Sequence, residues 1–135
     1  MTSEIKYLGE LRTSATHIKS NQTIITDAPT DNQGKGEAFS PTDLVATALG
    51  SCMLTIMGIK ARDMEIDLGE TTISVVKVMG TEPRRITDVQ IEINVPNSVN
   101  WEEKTKTILK NAALTCPVAK SLDPALKQDV TINFN

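Results

Sequence analysis

Residues 40–62, SPTDLVATALGSCMLTIMGIKAR, read as one helix that a single small sheet cannot cover. Ser40 is a good N-cap, and Pro41 suits the first helical position, where no N–H donor is needed. Asp43, three residues after the cap, completes a box-like arrangement with negative charge in the first turn. Leu44, Ala48, Cys52 and Ile56 repeat along one face, and Val45, Leu49, Met53 and Met57 along the adjacent one. Only the side with Thr47, Ser51 and Thr55 is mildly polar. A helix this apolar must be covered over most of its circumference, and a second subunit could supply what one sheet does not.

Alternating sequence surrounds this helix. Residues 3–19 fit one or two strands and QTIITDA, residues 22–28, another, with Asn21 at the turn between them. PTDNQGKGEAF, residues 29–39, concentrates Pro, Gly, Asn and Asp and reads as a flexible loop with Glu37 at its far end. TTISVVKVMG and ITDVQIEINVP, joined through TEPRR, give an antiparallel hairpin in which Val89, Ile91, Ile93 and Val95 share a face. A helix is expected from about Trp101 to Leu114, capped by Asn100, with Glu102 and Glu103 in its first turn and Lys110 near its end. A short helix follows TCP, and DVTINF closes the chain as a strand. Strands and helices in separate blocks make an α+β fold, expected as a single domain over residues 1–135.

Charge and cysteine usage narrow the function classes. With 14 basic and 17 acidic residues among 135, the net charge is -3, and no broad cationic surface is present for nucleic acid or an anionic membrane. No basic start followed by an apolar run opens the chain, and a cytoplasmic location is expected. Aromatic residues make up only 3%, so the core must come from Ile, Val, Leu, Ala and Met. Cys52 and Cys116 are the two cysteines. Neither lies in a CxxC pair, and with a single histidine the ligand spacing of a zinc site is absent; no metal or other cofactor is expected. Pro117 suits the first position of a new helix and puts Cys116 at its N-cap, where free backbone donors lower a thiol pKa. By local physics alone, Cys116 is the easier thiolate. Cys52, three turns into its helix, needs a tertiary neighbour, a cation in particular, to stabilise its anion.

Together, GEAFSPTDLVATALGSCM leading a long helix, TCPVAKSL much later, LRTSATHIKS near the start and the order of elements resemble the OsmC and organic hydroperoxide resistance family. The resemblance runs over nearly the whole chain. It implies a two-layer α+β fold with antiparallel sheets and a long central cysteine-bearing helix, in an intertwined homodimer with the active site at the subunit interface. It also implies that Cys52 is the peroxidatic cysteine for an organic hydroperoxide and Cys116 the resolving one, with an external dithiol reducing the disulfide. In active members an arginine from the N-terminal region stabilises the thiolate, and Arg12 is its match. That arginine is held by a glutamate early in the cysteine helix, and there this sequence departs from the pattern: the matching position is Thr42. Asp43 is adjacent but shorter, and Glu37 in the preceding loop is the other carboxylate that can take the role.

Each of these residues also has a plainer reading. Arg12 and Glu37 suit solvated surface charges, Met53 and Met57 core filling, and His17 a strand residue hydrogen-bonded to a neighbour. Two functions from different classes follow: a thiol-dependent reductase of organic hydroperoxides, or a noncatalytic dimer that binds an apolar small molecule around Cys52. Thr42 favours the second; the presence of both cysteines favours the first.

Overall fold

In the computed structural model, which describes residues 1–135, Ser40 and Asp43 close the expected box at the start of α1 (Pro41–Asp63). The Ser40 N–H donates to Asp43 Oδ2 at 3.0 Å and the Asp43 N–H to Ser40 Oγ at 3.1 Å, so two orphan donors are satisfied reciprocally. At the far end Glu65 takes the left-handed conformation (φ 56°). The Ile66 N–H returns to the Ala61 carbonyl and the Glu65 N–H to that of Arg62, the pairing of a Schellman stop. Ala46, Leu49, Gly50, Met53, Met57 and Ala61 form the buried stripe. Of the two expected apolar faces, Leu49, Met53 and Met57 are covered, Cys52 and Ile56 half-covered, and Val45 and Ala48 exposed. By length and hydropathy α1 would also pass for a membrane-spanning helix, but its stripe packs in a protein core.

The chain resolves into two compact units, Met1–Val45 and Ala46–Asn135. In the second, β4 (Thr72–Gly80) pairs antiparallel with β5 (Arg85–Val95) as expected. After α2 (Glu103–Leu114) and α3 (Pro117–Ser121), β6 (Lys127–Phe134) joins β5 in parallel, so this sheet is mixed where antiparallel pairing was expected throughout. The long crossover through two helices is what permits a parallel neighbour. Val89, Ile91, Ile93 and Val95 face the core, each at most 2% exposed. Gly50 lets α1 approach closely: a Cβ there would lie 3.0 Å from Val75 Cγ2 and 3.2 Å from Ile73 Cγ2. Helix α2 begins later than expected, with Glu102 rather than Asn100 at the cap position. Residues 98–101 form a turn instead, closed by the Trp101 N–H on the Ser98 carbonyl and pinned by Ser98 Oγ on the Val95 carbonyl.

In the first unit, β1 (Ser3–Gly9), β2 (Arg12–His17) and β3 (Thr23–Asp27) form an antiparallel meander. Glu10 and Leu11 connect β1 to β2 with φ of 53° and 64°, the positive values a primed hairpin turn demands, though neither is Gly or Asn. The expected loop holds one 3-10 turn, Thr30–Asn32, and Gly34 is required there because any Cβ would strike the Ala28 carbonyl. No apolar side chain of residues 1–45 is buried; only Thr26, Asp27 and Ser40 are. Ile5, Ala15 and Ile24 lie in one row across the ladders, yet Ile5 and Ile24 are 65% and 50% exposed. A three-stranded sheet needs such a row covered to be stable.

Candidate active site

Cys52 projects from α1 at partial burial and packs against the core cluster that contains Cys116. Cys116 is fully buried, and both thiols are free. As expected, Cys116 caps α3: its Sγ accepts from the Ala119 N–H at 3.4 Å, and Pro117 occupies the first helical position. The expectation that this cap makes Cys116 the easier thiolate is overturned. Burial pushes its thiol above the ordinary value, and the neighbouring Cys52 sulfur pushes the same way. The backbone N–H groups of Val118 and Ala119 act in the other direction but lose, because a five-residue helix has little dipole and a fully dry sulfur loses its hydration. Cys116 is therefore held as a thiol at neutral pH.

Arg12 in the first unit is not a solvated surface charge. Arg12 grips Asp27 through both carboxylate oxygens, Nε to Oδ1 at 2.7 Å and Nη2 to Oδ2 at 2.8 Å. Glu37 adds a looser contact, Oε2 at 3.5 Å from Nη2, and its backbone N–H donates to Asp27 Oδ2 at 3.1 Å. The hydrogen bond from Arg12 holds the Asp27 carboxyl below the usual carboxylate range despite its burial, and the same bond raises Arg12. Lys35 bridges to Glu10 at 2.6 Å, tying the loop to the strained turn that precedes Arg12. Asp43 accepts from the Ser40 N–H in the helix cap, and Thr42 Oγ1 lies 3.2 Å from Ser40 Oγ. His17 pairs through Nδ1 with Ser20 Oγ at 2.7 Å, in keeping with its plain reading.

Asp27 is the residue that sequence reasoning missed. A register drawn about the turn near Asn21 would have found it, since the β2–β3 ladder sets Arg12 directly opposite Asp27. Away from the thiols, a groove of about 490 Å³ on the open face of the second sheet is lined by Ser74, Gln90, Glu92, Asp129 and Thr131. Its carboxylates and hydroxyls offer no nucleophile of the reactivity of a thiolate.

Comparison with known proteins bears on this arrangement. The family profile described as OsmC-like protein matches residues 34–131. A crystal structure from Psychrobacter arcticus 273-4, of a protein described in terms of osmotic stress induction and detoxification response, shares 60% identity and a TM-score of 0.94. That match covers 98% of this chain and 96% of the other. The organic hydroperoxide resistance protein OsmC of Legionella pneumophila is similar in fold at 15% identity and TM-score 0.76, over 98% and 97% of the two chains. An organic hydroperoxide resistance protein of Elizabethkingia anophelis matches at 16% identity and TM-score 0.77, over 100% and 97%. Among curated proteins nothing matches. With the profile spanning most of its length and a close structural relative across nearly all of it, the chain belongs to the OsmC-like family.

Proposed function

We propose that this protein reduces organic hydroperoxides by thiol chemistry, with Cys52 as the attacking sulfur and Cys116 as the resolving one. The observation that carries the reading is the meeting of two free cysteines, distant in sequence, in one packed cluster. The Cys52 thiolate attacks the O–O bond; an S–O bond forms, the alkoxide leaves and takes a proton to become the alcohol, and the sulfur becomes a sulfenic acid. Cys116 then attacks the sulfenic sulfur, its proton leaves with the hydroxyl as water, and a disulfide remains. An external dithiol reduces that disulfide and is itself oxidised.

Burial of Cys116 supports the order of events. Burial keeps Cys116 protonated, so it does not compete for peroxide. Arg12 is the cation that the family resemblance assigns to this chemistry; its two-point carboxylate partner is Asp27, with Glu37 in a looser contact, while Asp43 caps α1. A homodimer completes the fold, since the exposed Ile5, Tyr7 and Ile24 of the first unit and Val45 and Ile59 of α1 need a cover that a second copy provides. The need for a dithiol reductant fits the cytoplasm. The names carried by the Legionella and Elizabethkingia structures, and the detoxification description of the Psychrobacter one, support the substrate class.

Thr42, where active relatives carry a glutamate, favours the second reading, a noncatalytic dimer holding an apolar molecule near Cys52. Stopped-flow oxidation of the reduced protein by cumene hydroperoxide and by hydrogen peroxide, beside Cys52→Ser, separates the two. Fast oxidation that prefers the organic peroxide and vanishes in Cys52→Ser is the expected result. Slow oxidation, equal for both peroxides, leaves the binding reading.

A further inference from the structure

We infer that the cleft between α2 and β6 binds a small amphiphilic monoanion, a carboxylate on a short apolar tail, with Lys106 and Lys110 taking the charged end and Ile132 and Phe134 the tail. The cleft encloses about 270 Å³ and is lined by Glu103, Lys106, Thr107 and Lys110 of α2 and by Ile132 and Phe134 of β6. That volume lies just under the range of roughly 300–1,000 Å³ that drug-sized ligands fill, so the occupant is small. β6 is the edge strand of its sheet, which leaves this side of it open. All six residues belong to the second unit, and no step of the thiol chemistry uses them.

Residues 103, 106, 107 and 110 recur at helical spacing and share one side of α2, while Leu109, Ala112 and Ala113 bury another side in the core. A solvated helix face would leave its lysines extended in water, yet the Lys106 side chain is only 17% exposed. Its ammonium donates to the Val99 carbonyl at 2.9 Å and to Glu103 Oε1 at 3.4 Å, and lies 5.8 Å from the centroid of the Phe134 ring. Two of its three donors are spent and the third remains. Lys110, one turn further on, has no carboxylate partner. Two lysines against one glutamate leave the cleft at +1 in a chain of net charge -3, which one monoanion neutralises. The other wall is apolar: Ile132 and Phe134 are half-buried and pack on the core, Phe134 also against Trp101 with ring centroids 6.3 Å apart. Unspent ammonium donors beside half-covered apolar surface call for a charged head and an apolar tail in one molecule.

Trp101 is the only tryptophan and touches a ring that lines the cleft, so its emission reports occupancy. Titration of the full-length protein with octanoate at neutral pH, followed by Trp101 fluorescence and by calorimetry, should saturate at one ligand per chain. Octanol, which has the tail without the charge, and acetate, which has the charge without the tail, should each bind at least about tenfold more weakly. Lys110→Ala removes an exposed side chain, leaves the fold intact by circular dichroism, and should weaken octanoate about tenfold. Cys52→Ser should bind octanoate as the parent does, which keeps this site apart from the thiols. Failure of octanoate to saturate overturns the inference, as does octanol binding as tightly as octanoate, a Lys110→Ala protein of parental affinity, or loss of binding in Cys52→Ser.

Discussion

Arg12 and Asp27 face one another across the β2–β3 ladder and share two parallel hydrogen bonds of 2.7 and 2.8 Å, so the guanidinium is held in a fixed pair. A carboxylate this buried, bonded to a guanidinium and to the Glu37 N–H, is ionised in the native state, and neither of its oxygens is left without a partner.

Acid should therefore weaken the first unit. Asp27 and Glu10 are both held below the ordinary carboxylate range, by hydrogen bonds from Arg12 and Lys35. Their stabilisation is complete above the unfolded-state values of about 4 and is lost as pH falls through the lower folded values. Calorimetric midpoints should hold from neutral pH to about pH 5 and fall below about pH 4. Asp27→Asn should start lower at neutral pH and converge with the parent in acid; parallel curves would contradict the assignment.

Alkaline pH acts on the second unit through Cys116. Its folded value is raised by burial, so the stabilisation from its neutral thiol is present below the unfolded value of about 8.5 and lost as pH rises through the folded one. Native alkylation at neutral pH should reach Cys52 well before Cys116, read by mass spectrometry of the labelled peptides. Equal labelling would show that burial does not hold the thiol. Cys116→Ala should lower stability by about 1–3 kcal/mol, through the lost α3 cap and a small cavity.

Packing of α1 gives a third set. Leu49, fully buried, should cost about 2–5 kcal/mol as Ala. Gly50→Val forces branched carbons onto Val75 and Ile73 and should cost about 1–3 kcal/mol. Ser40→Ala breaks the reciprocal cap with Asp43 for about 1 kcal/mol. Urea unfolding measures all three, and a neutral Gly50→Val would mean that the helix stands further from the sheet.

The exposed apolar side chains of the first unit and of α1 lead to an expected solution mass of twice the 14.7 kDa chain. Light scattering over a dilution series checks this directly. A monomer at every concentration would remove the second copy from the account.

Much of this was legible in the sequence because it is local. Ser40, Pro41 and Asp43 marked the start of α1, the repeat of Leu49, Met53 and Met57 marked its buried stripe, and alternation placed Val89 to Val95 on the core face. Pro117 likewise put Cys116 at a cap. What failed to show depends on partners far along the chain. The direction of the Cys116 shift is set by burial, which no local pattern reports. The parallel pairing of β6 follows from its crossover, and the start of α2 at Glu103 from a turn that Ser98 fastens to the end of β5. Asp27 lay within reach, but only through a register that alternation alone does not fix.

The most direct test of the two-cysteine account is peptide mapping after the reduced protein meets one equivalent of cumene hydroperoxide. A disulfide joining the Cys52 and Cys116 peptides, formed with release of the alcohol and water, is the expected product, and in Cys116→Ser a dimedone-trapped sulfenic acid at Cys52 should replace it. Unmodified thiols, or oxidation that begins at Cys116, would contradict the account.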